Sequence, residues 1–253
     1  MDLGIRGKVT IVTGSSAGLG AAIADRITAE GCRTVLFARS ADKLERVAAD
    51  LRERHRVEIL TVAGDMTKVK DVQRLVDCTQ QAFGSPEILV LNSGRPPLQM
   101  RNVLDETDDA RWHQAHETQL WAPLLVVRLV VPLMRQRRWG RVVAVTSASV
   151  KQPMPHHALS TVYRAGITGL MRHLANEVAA DGVTVNCVCP ASIATDALVA
   201  SYDSQERIKR VPLGRLGRPD ELAAAVAFFA SESSGFITGT SLQVDGGMVA
   251  ALY

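Results

Sequence analysis

The residues best suited to bind a ligand form a glycine-rich segment near the N-terminus. The segment directly follows an apolar run and is Thr13-Gly14-Ser15-Ser16-Ala17-Gly18-Leu19-Gly20. Glycines let the backbone approach a pyrophosphate closely, and the N-terminus of a following helix offers unpaired N–H groups and a partial positive charge. Such a pattern alone also marks ordinary turns. Between a strand and a helix, it predicts a dinucleotide site that includes Gly14, Ser16, Gly18, Leu19 and Gly20.

The side chain at position 39 indicates which dinucleotide binds. Sites for NAD usually place Asp or Glu about 20 residues after the glycine loop, at the end of the second strand, to hold the ribose 2′-hydroxyl. Here Arg39 follows Ala38, and no carboxylate is available. A guanidinium suits a 2′-phosphate, although the alternative is a solvated charge at the start of a helix. We therefore predict NADP(H) as the cofactor in preference to NAD(H).

Elements that could position these residues follow from an alternation along the chain. Short, continuously apolar runs, as expected for strands buried on both faces of a parallel sheet, are Val9–Val12, Thr34–Phe37, Ile59–Val62, Ile88–Leu91, Val142–Val145, Val183–Val188 and Leu242–Val244. Segments rich in helix formers are Gly18–Ala29, Ala41–Arg52, Lys68–Phe83, Thr118–Arg138, Ala158–Ala180 and Glu221–Ala230. The alternation predicts a single-domain, Rossmann-type doubly wound α/β fold over residues 1–253, with a parallel sheet of about seven strands and helices on both faces.

Composition excludes several other classes of protein. The 253 residues are 47% hydrophobic and 22% charged with a net charge of +3, which is typical of a globular chain and too weak to indicate nucleic-acid binding. Four scattered cysteines, and an N-terminus without the apolar core of a signal peptide, favour a cytoplasmic location. We interpret Cys187 and Cys189 as core residues and predict no metal site. The apolar stretch Leu120–Met134 contains Arg128 and is shorter than the roughly 20 residues of a membrane span, so we predict no span.

Further motifs occur in a characteristic order along the rest of the chain. They are Gly64-Asp65-Met66, Leu91-Asn92-Ser93-Gly94, Trp112, Gly140-Arg141-Val142-Val143, Val185-Asn186-Cys187-Val188-Cys189-Pro190, Pro212-Leu213-Gly214-Arg215, Thr238-Gly239 and Val244-Asp245-Gly246-Gly247. With the glycine loop, they resemble the short-chain dehydrogenase/reductase family over essentially the whole chain, and in particular its 3-oxoacyl-[acyl-carrier-protein] reductases.

The resemblance implies additional contacts to the cofactor. Asp65 and Met66 would lie beside the adenine, and Asn92 and Gly94 would line the cofactor path. The residues expected to flank the nicotinamide are Pro190, Ile193 and Thr195. Two positions depart from the family pattern: Ser93 stands where alanine is usual, and Ala191 where glycine is usual.

The resemblance also assigns four catalytic positions, three of which are changed here. The family uses an asparagine, a serine, and a tyrosine followed four residues later by a lysine. Matching Ala165-Gly166-Ile167 to the family pattern puts Arg164 at the lysine position and Ser160 at the tyrosine position. Ser147 keeps the serine, and Gln119 replaces the asparagine. A serine hydroxyl is a far weaker acid than a phenol, and arginine does not release a proton near neutral pH. The chain is thus predicted to be a divergent member without the Tyr-x-x-x-Lys pair.

Three other residues could supply the missing acid. Tyr163 lies three residues after Ser160, which displaces it along and around the helix, and packing beside the site is the alternative role. His156 and His157 precede that helix in a loop expected to border the substrate. Histidine titrates near neutral pH, but exposed loop side chains are again the alternative. The source of the proton stays open among these residues.

We therefore expect an NADP(H)-binding oxidoreductase that acts on a small carbonyl or alcohol compound with altered proton transfer. The alternatives are a nucleotide-binding pseudoenzyme, sensor or scaffold with little redox turnover, and a lyase-like or isomerase-like activity. Residues 192–211, which include Leu198 and Tyr202, should form a lid over the substrate. The apolar Leu120–Met134 and its neighbour Ala158–Ala180 predict a homotetramer, or failing that a dimer, because family members usually pair through these helices.

Overall fold

Strands and helices alternate along the chain in a computed structural model that describes residues 2–92, 94–199 and 204–252, without the side chains of residues 197 and 199. The strands are β1 Val9–Thr13, β2 Arg33–Ala38, β3 Ile59–Ala63, β4 Ile88–Leu91, β5 Gly140–Val145, β6 Val183–Pro190 and β7 Ser241–Val244. The α-helices are α1 Gly18–Ala29, α2 Ala41–His55, α3 Val69–Phe83, α4 Asp109–His116, α5 Ala122–Arg137, α6 Ala158–Val178, α7 Asp196–Val199, α8 Ser204–Ile208 and α9 Pro219–Ala230.

The strands form one parallel sheet whose order reverses beside the glycine loop. The spatial order within the described chain is β3-β2-β1-β4-β5-β6-β7. The chain thus runs outward from β1 to β3, returns to the other side of β1 at β4, and continues outward to β7. Val12 of β1, for example, pairs with Leu36 of β2 and with Val90 of β4. In open parallel sheets, ligands bind beyond the carboxyl ends of the strands at such a reversal.

Helices cover both faces of the sheet and bury an apolar layer on each. On one face, α3, α5 and α6 pack through residues such as Val76, Val130 and Met171. On the other face, α1, α2 and α9 pack through residues such as Ile23 and Leu44. Every residue of β1, β4 and β5 is buried, as expected for strands covered on both sides. The prediction of a doubly wound α/β fold with seven parallel strands is confirmed.

The helical segment before β5 begins earlier than predicted. In place of Thr118–Arg138, the structure has a helical run over residues 109–137, with a π-helical turn at Glu117–Trp121. Asp108 caps the start of this run, because its side chain accepts a hydrogen bond from the backbone N–H of Ala110. The first two turns are polar, so the apolar periodicity that predicts the second half does not extend to them.

The same run has the length and composition of a helix that could cross a membrane, alone among the helices of the described residues. Half of the most apolar 18-residue segment of this run is buried inside the protein. Val126 and Val130 are fully buried in the core between this helix and the sheet. Packing on the sheet therefore accounts for the apolar character of the helix.

Candidate active site

Close backbone contacts shape the glycine loop between β1 and α1. Gly14 has a φ of +63°, and a Cβ there would stand 2.4 Å from the carbonyl oxygen of Asn92. A Cβ at Gly20 would stand 2.1 Å from the carbonyl oxygen of Gly14. Ser15 secures the loop to β2, because its Oγ accepts a hydrogen bond of 3.0 Å from the backbone N–H of Phe37. Packing within the protein therefore requires glycine at positions 14 and 20.

Gly18 differs from these glycines because a Cβ there would stand at an ordinary contact distance from its neighbours. Its φ is +55°, and the nearest contact of a Cβ would be the side chain of Thr195, at 3.8 Å. Helix α1 begins at Gly18. The side chain of Ala17 does not cap its N-terminus, and its first turn contains no acidic residue. Unpaired N–H groups at a helix N-terminus, with their partial positive charge, bind anions. The loop, with Ser16 and Leu19 on either side of Gly18, therefore fits a pyrophosphate.

Residues predicted for the adenosine half of the cofactor follow two adjacent strands. Arg39 comes directly after β2; its side chain is exposed and makes no hydrogen bond or ion pair with the described residues. Asp65 and Met66 follow β3 after Gly64, and β3 pairs with β2. Asp65 Oδ1 accepts hydrogen bonds of 2.9 Å from the backbone N–H and the hydroxyl of Thr67, and Met66 packs against the core. Arg39 is thus the polar group of this set that is available to a phosphate.

Asn92 and Gly94, after β4, connect the glycine loop to the opposite half of the site. The Asn92 side chain donates a hydrogen bond of 3.3 Å to the carbonyl oxygen of Gly14. The carbonyl oxygen of Gly94 accepts a hydrogen bond of 2.9 Å from Arg164 Nη2. Ser93, one of the two departures from the family pattern, lies outside the described residues. Asn92 therefore supports the loop, and Gly94 anchors a predicted catalytic side chain.

A cavity of about 220 Å³ opens beyond the carboxyl ends of β5 and β6. Predicted residues that line it are Ser147, Ser160, Arg164, Pro190, Ile193, Thr195 and Leu19. Three of the four predicted catalytic residues thus meet at one cavity, together with all three residues expected to flank the nicotinamide. Ser147 follows β5, whereas Ser160 and Arg164 lie one turn apart on α6. The cavity is therefore our candidate active site.

Arg164 is buried and is held by two backbone carbonyl groups. Nη1 donates a hydrogen bond of 3.0 Å to the carbonyl oxygen of Val145 at the end of β5, and Nη2 donates one of 2.9 Å to that of Gly94. Burial lowers the pKa of Arg164 to about 10, so the guanidinium remains charged at neutral pH. Arg164 therefore contributes a fixed positive charge to the cavity wall but no proton.

The two serines contribute hydroxyl groups. Ser147 Oγ accepts hydrogen bonds from the Ser149 hydroxyl, at 2.9 Å, and from the Ser149 backbone N–H, at 3.2 Å. Because these bonds occupy both of its acceptor sites, the Ser147 hydroxyl can donate its own proton into the cavity. Ser160 is buried in the first turn of α6. Neither hydroxyl ionises near neutral pH.

Gln119 lies in the π-helical turn, and its side chain is fully buried. Neither its Nε2 nor its Oε1 has a hydrogen-bond partner among the described residues. Gln119 is also not among the described residues that line the cavity. Buried amides without partners are rare and indicate a place for a water molecule or a ligand group. Turns of π-helix are frequent at functional sites.

Tyr163 points away from the cavity. Its ring meets those of Trp112 and His116 edge to face, at centroid distances of 6.1 Å and 6.0 Å. Both partners belong to α4, which packs against α6. Within the described residues, Tyr163 does not line the cavity, whereas its helix neighbours Ser160 and Arg164 do. Packing beside the site, rather than proton transfer, is the role that this placement supports for Tyr163.

The two loop histidines differ in their surroundings. His156 is exposed, has a φ of +60°, and donates its backbone N–H to the side chain of Asn102. His157 is half-buried and lines the cavity. Its Nδ1 lies 2.8 Å from the carbonyl oxygen of Pro155. Burial lowers the pKa of His157 from its usual range. Of the two histidines, only His157 therefore faces the candidate active site.

The described parts of the predicted lid also reach the cavity. Leu198 of α7 and Arg207 of α8 line it, whereas Tyr202 lies in the segment 200–203, outside the described residues. Arg95 lines the cavity as well and is absent from the sequence prediction. Its position next to Gly94, a predicted cofactor residue, is a signal that could have identified it.

Known proteins share the fold of this chain and about a third of its residues. Residues 14–249 match the family model described as enoyl-(acyl carrier protein) reductase. The 3-oxoacyl-[acyl-carrier-protein] reductase FabG of Haemophilus influenzae is 34% identical over 246 residues, which cover 96% of this chain and 99% of that protein. Dehydrogenase/reductase SDR family member 4 of Caenorhabditis elegans is 32% identical, covering 97% of this chain and 96% of its own. The structure of L-sorbose reductase from Gluconobacter frateurii, complexed with NADPH and L-sorbose, matches with a TM-score of 0.94 at 32% identity and 100% coverage of both chains.

Proposed function

The chain belongs to the short-chain dehydrogenase/reductase family, and on that premise we propose that it is an NADP(H)-dependent oxidoreductase of a small carbonyl or alcohol compound. Its catalytic positions hold Gln119, Ser147, Ser160 and Arg164. The observation that carries the proposal is that three of these residues line one cavity, together with Leu19 at the N-terminus of α1. The proposed cofactor site at the N-terminus of α1 therefore lies next to the proposed catalytic residues.

The choice of NADP(H) rests on two parts of this chain. When bound, NADPH supplies a hydride to the substrate carbonyl. The open N-terminus of α1 at Gly18 suits the pyrophosphate. Arg39, exposed and without a partner among the described residues, suits the 2′-phosphate. The NADPH in the similar L-sorbose reductase supports the same choice.

The catalytic side chains can take separate roles in such a reaction. The Ser147 hydroxyl, with both acceptor sites used by Ser149, donates a hydrogen bond to the carbonyl oxygen of the substrate. Arg164 supplies the positive charge that the family obtains from lysine. Ser160 donates a hydrogen bond but is a poor acid. Gln119, with a buried amide that has no partner among the described residues, offers a place for a water molecule.

Carbonyl-dependent oxidation of NADPH tests the proposal. The substrates compared are a 3-oxoacyl thioester, a ketose such as L-sorbose, and simple aldehydes and ketones. We expect turnover of at least one of them, lowered roughly 100-fold or more by Ser147→Ala, with NADPH affinity unchanged. Tight binding of NADPH without turnover of any carbonyl would instead favour the pseudoenzyme alternative.

The proposal extends to assembly and location. An exposed apolar side chain on α6, one of the helices through which family members usually pair, supports a homotetramer, or a dimer: Val162 is 47% exposed. A monomer mass in light scattering at micromolar concentration would contradict this part. The four free cysteines support a cytoplasmic location.

A further inference from the structure

We infer that His157 is the general acid–base residue of this site, the group that exchanges a proton with the oxygen of the carbonyl or alcohol substrate. The inference rests on the proposed function, because it concerns the proton of the same reaction. It gives His157 the task to which Ser160, at the family's tyrosine position, is chemically unsuited.

Within the described chain, His157 is the one cavity-lining residue whose side chain exchanges a proton readily near neutral pH. The other ionisable lining residues are Arg95, Arg164 and Arg207, and arginine stays protonated under such conditions. The lining hydroxyl groups belong to serines and threonines, which are very weak acids. Tyr163, the one phenol nearby in the sequence, packs on α4 instead.

Helix geometry sets His157 beside the altered catalytic positions. His157 is the residue that precedes α6, three residues before Ser160 and seven before Arg164. Residues at these spacings share one face of a helix. All three line the cavity, so the imidazole approaches it from the N-terminal end of the helix that carries the other two groups.

A hydrogen bond determines which ring nitrogen titrates. His157 Nδ1 lies 2.8 Å from the carbonyl oxygen of Pro155. A carbonyl oxygen only accepts hydrogen bonds, so Nδ1 carries a proton in both charge states. The exchangeable proton is therefore the one on Nε2. The bond to Pro155 also fixes the tautomer and orientation of the ring, as a catalytic histidine requires.

The proton balance of the reaction is complete with this residue. In reduction, the carbonyl carbon accepts a hydride from the proposed NADPH, and the π electrons of the C=O bond move to oxygen. The Nε2–H bond of the His157 imidazolium breaks, and its proton bonds to that oxygen. The products are the alcohol, the oxidised cofactor and a neutral imidazole, which takes a new proton from solvent. Alcohol oxidation is the reverse.

The surroundings of His157 give the direction of its pH dependence. Burial is the largest influence and lowers the pKa of His157 below the usual 6.5; the bond to Pro155 raises it. Electrostatic repulsion from Arg207 of α8, His156 and Arg210 also lowers this pKa. The other charged lining groups, Arg95 and Arg164, are also positive.

Reduction needs the imidazolium form of His157, so its rate should rise as pH falls through this pKa. Oxidation needs the neutral ring, so its rate should rise with pH and level off above it.

Two neighbouring histidines provide a variant and its matched control. His157→Asn keeps an N–H donor near the carbonyl oxygen of Pro155 and suits the start of a helix, but it does not titrate. His156→Asn makes the same change at an exposed residue, and asparagine tolerates its φ of +60°. We expect kcat for reduction to fall about 10²–10⁴-fold in His157→Asn, with its pH dependence near and below 6.5 lost and NADPH affinity unchanged. His156→Asn should keep the kcat and the NADPH affinity of the unaltered protein, and should keep the pH dependence with its midpoint moved slightly upward, because His156 lowers the pKa of His157.

Nitrogen NMR of the ligand-free protein, with nitrogen-15 in its histidine rings, measures the protonation of each ring nitrogen without any turnover. The signal lost in His157→Asn should report a proton on Nδ1 and a titration below pH 6.5. Unchanged kcat and pH profile in His157→Asn, or a neutral ring protonated on Nε2, would overturn the inference and leave the proposed function standing. If the unaltered protein binds NADPH but reduces no carbonyl, the proposed function fails and the inference fails with it.

Discussion

Replacing Arg39 by aspartate should reverse the preference for NADPH over NADH. Arg39 directly follows β2, at the edge of the sheet where ligands bind, and its side chain is exposed. It makes no hydrogen bond or ion pair with the described residues. The substitution therefore removes no contact within that part of the protein, and we expect an unchanged melting temperature. The whole effect should appear in cofactor affinity.

The size of the effect follows from the contact that is lost. A charge-assisted hydrogen bond from a guanidinium to a phosphate contributes about 1.5–3 kcal/mol, which is roughly 10- to 150-fold in Kd. An aspartate at the same exposed place adds repulsion of about 1 kcal/mol for two charges about 4 Å apart in water. It can also accept a hydrogen bond from the 2′-hydroxyl of NADH. We expect the Kd of NADPH to rise about 100-fold and that of NADH to fall several-fold.

Fluorescence titration of both reduced cofactors measures this preference. Arg56→Asp is the matched control, because it makes the same change of charge at the far end of α2, a helix of 15 residues and so about 22 Å long. That distance exceeds the Debye length at physiological salt, about 8 Å, so the control should leave both affinities unchanged. Equal affinities of the unaltered protein for NADPH and NADH, or an equal shift in Arg56→Asp, would refute the assignment of Arg39.

Two further substitutions separate binding from chemistry. Gly18→Ala and Gly7→Ala both put a Cβ on a residue of positive φ, +55° and +77°, so each should lower the free energy of unfolding by about 1–2 kcal/mol. Only Gly18→Ala should also weaken NADPH binding in titration, because its Cβ would stand at the N-terminus of α1, where we propose that the pyrophosphate binds, whereas Gly7 lies outside the proposed site. Adding Ser160→Tyr and Arg164→Lys to His157→Asn supplies a phenol and the cation that lowers its pKa. NADPH-dependent reduction should then recover at least tenfold in a steady-state assay, and no recovery would contradict the assignment of positions 160 and 164.

The framework of the site could be predicted because its signals are local. The apolar run and the glycines fix where β1 ends and α1 begins, and the helix Gly18–Ala29 has the bounds that the sequence predicts. Parallel pairing then brings Arg39, Asn92 and Ser147 to the same edge of the sheet, since each follows the carboxyl end of a strand. Predicting the positions of these three residues therefore needs little tertiary information.

The orientation of the remaining side chains depends on contacts between distant elements. Tyr163 points to Trp112 and His116, and α4, which carries them, has only weak apolar periodicity in the sequence. Gln119 is turned inward by a π-helical turn, a change in hydrogen bonding that residue types do not predict. The sequence therefore identifies the residues that could donate the proton, but the choice among them needs the structure.

On the assignment that we propose for positions 160 and 164, the residues on α6 form a consistent set. Arginine at position 164 joins the end of β5 to the loop after β4, through bonds to Val145 and Gly94 that its forked guanidinium can make at the same time. Because that group holds its proton tightly, a proton donor must come from elsewhere. Serine at position 160 is small, so the cavity wall between His157 and Arg164 is not filled by a phenol ring. A serine in place of the family's tyrosine would thus remove one acid and leave open the face of the helix along which we propose that His157 reaches the substrate.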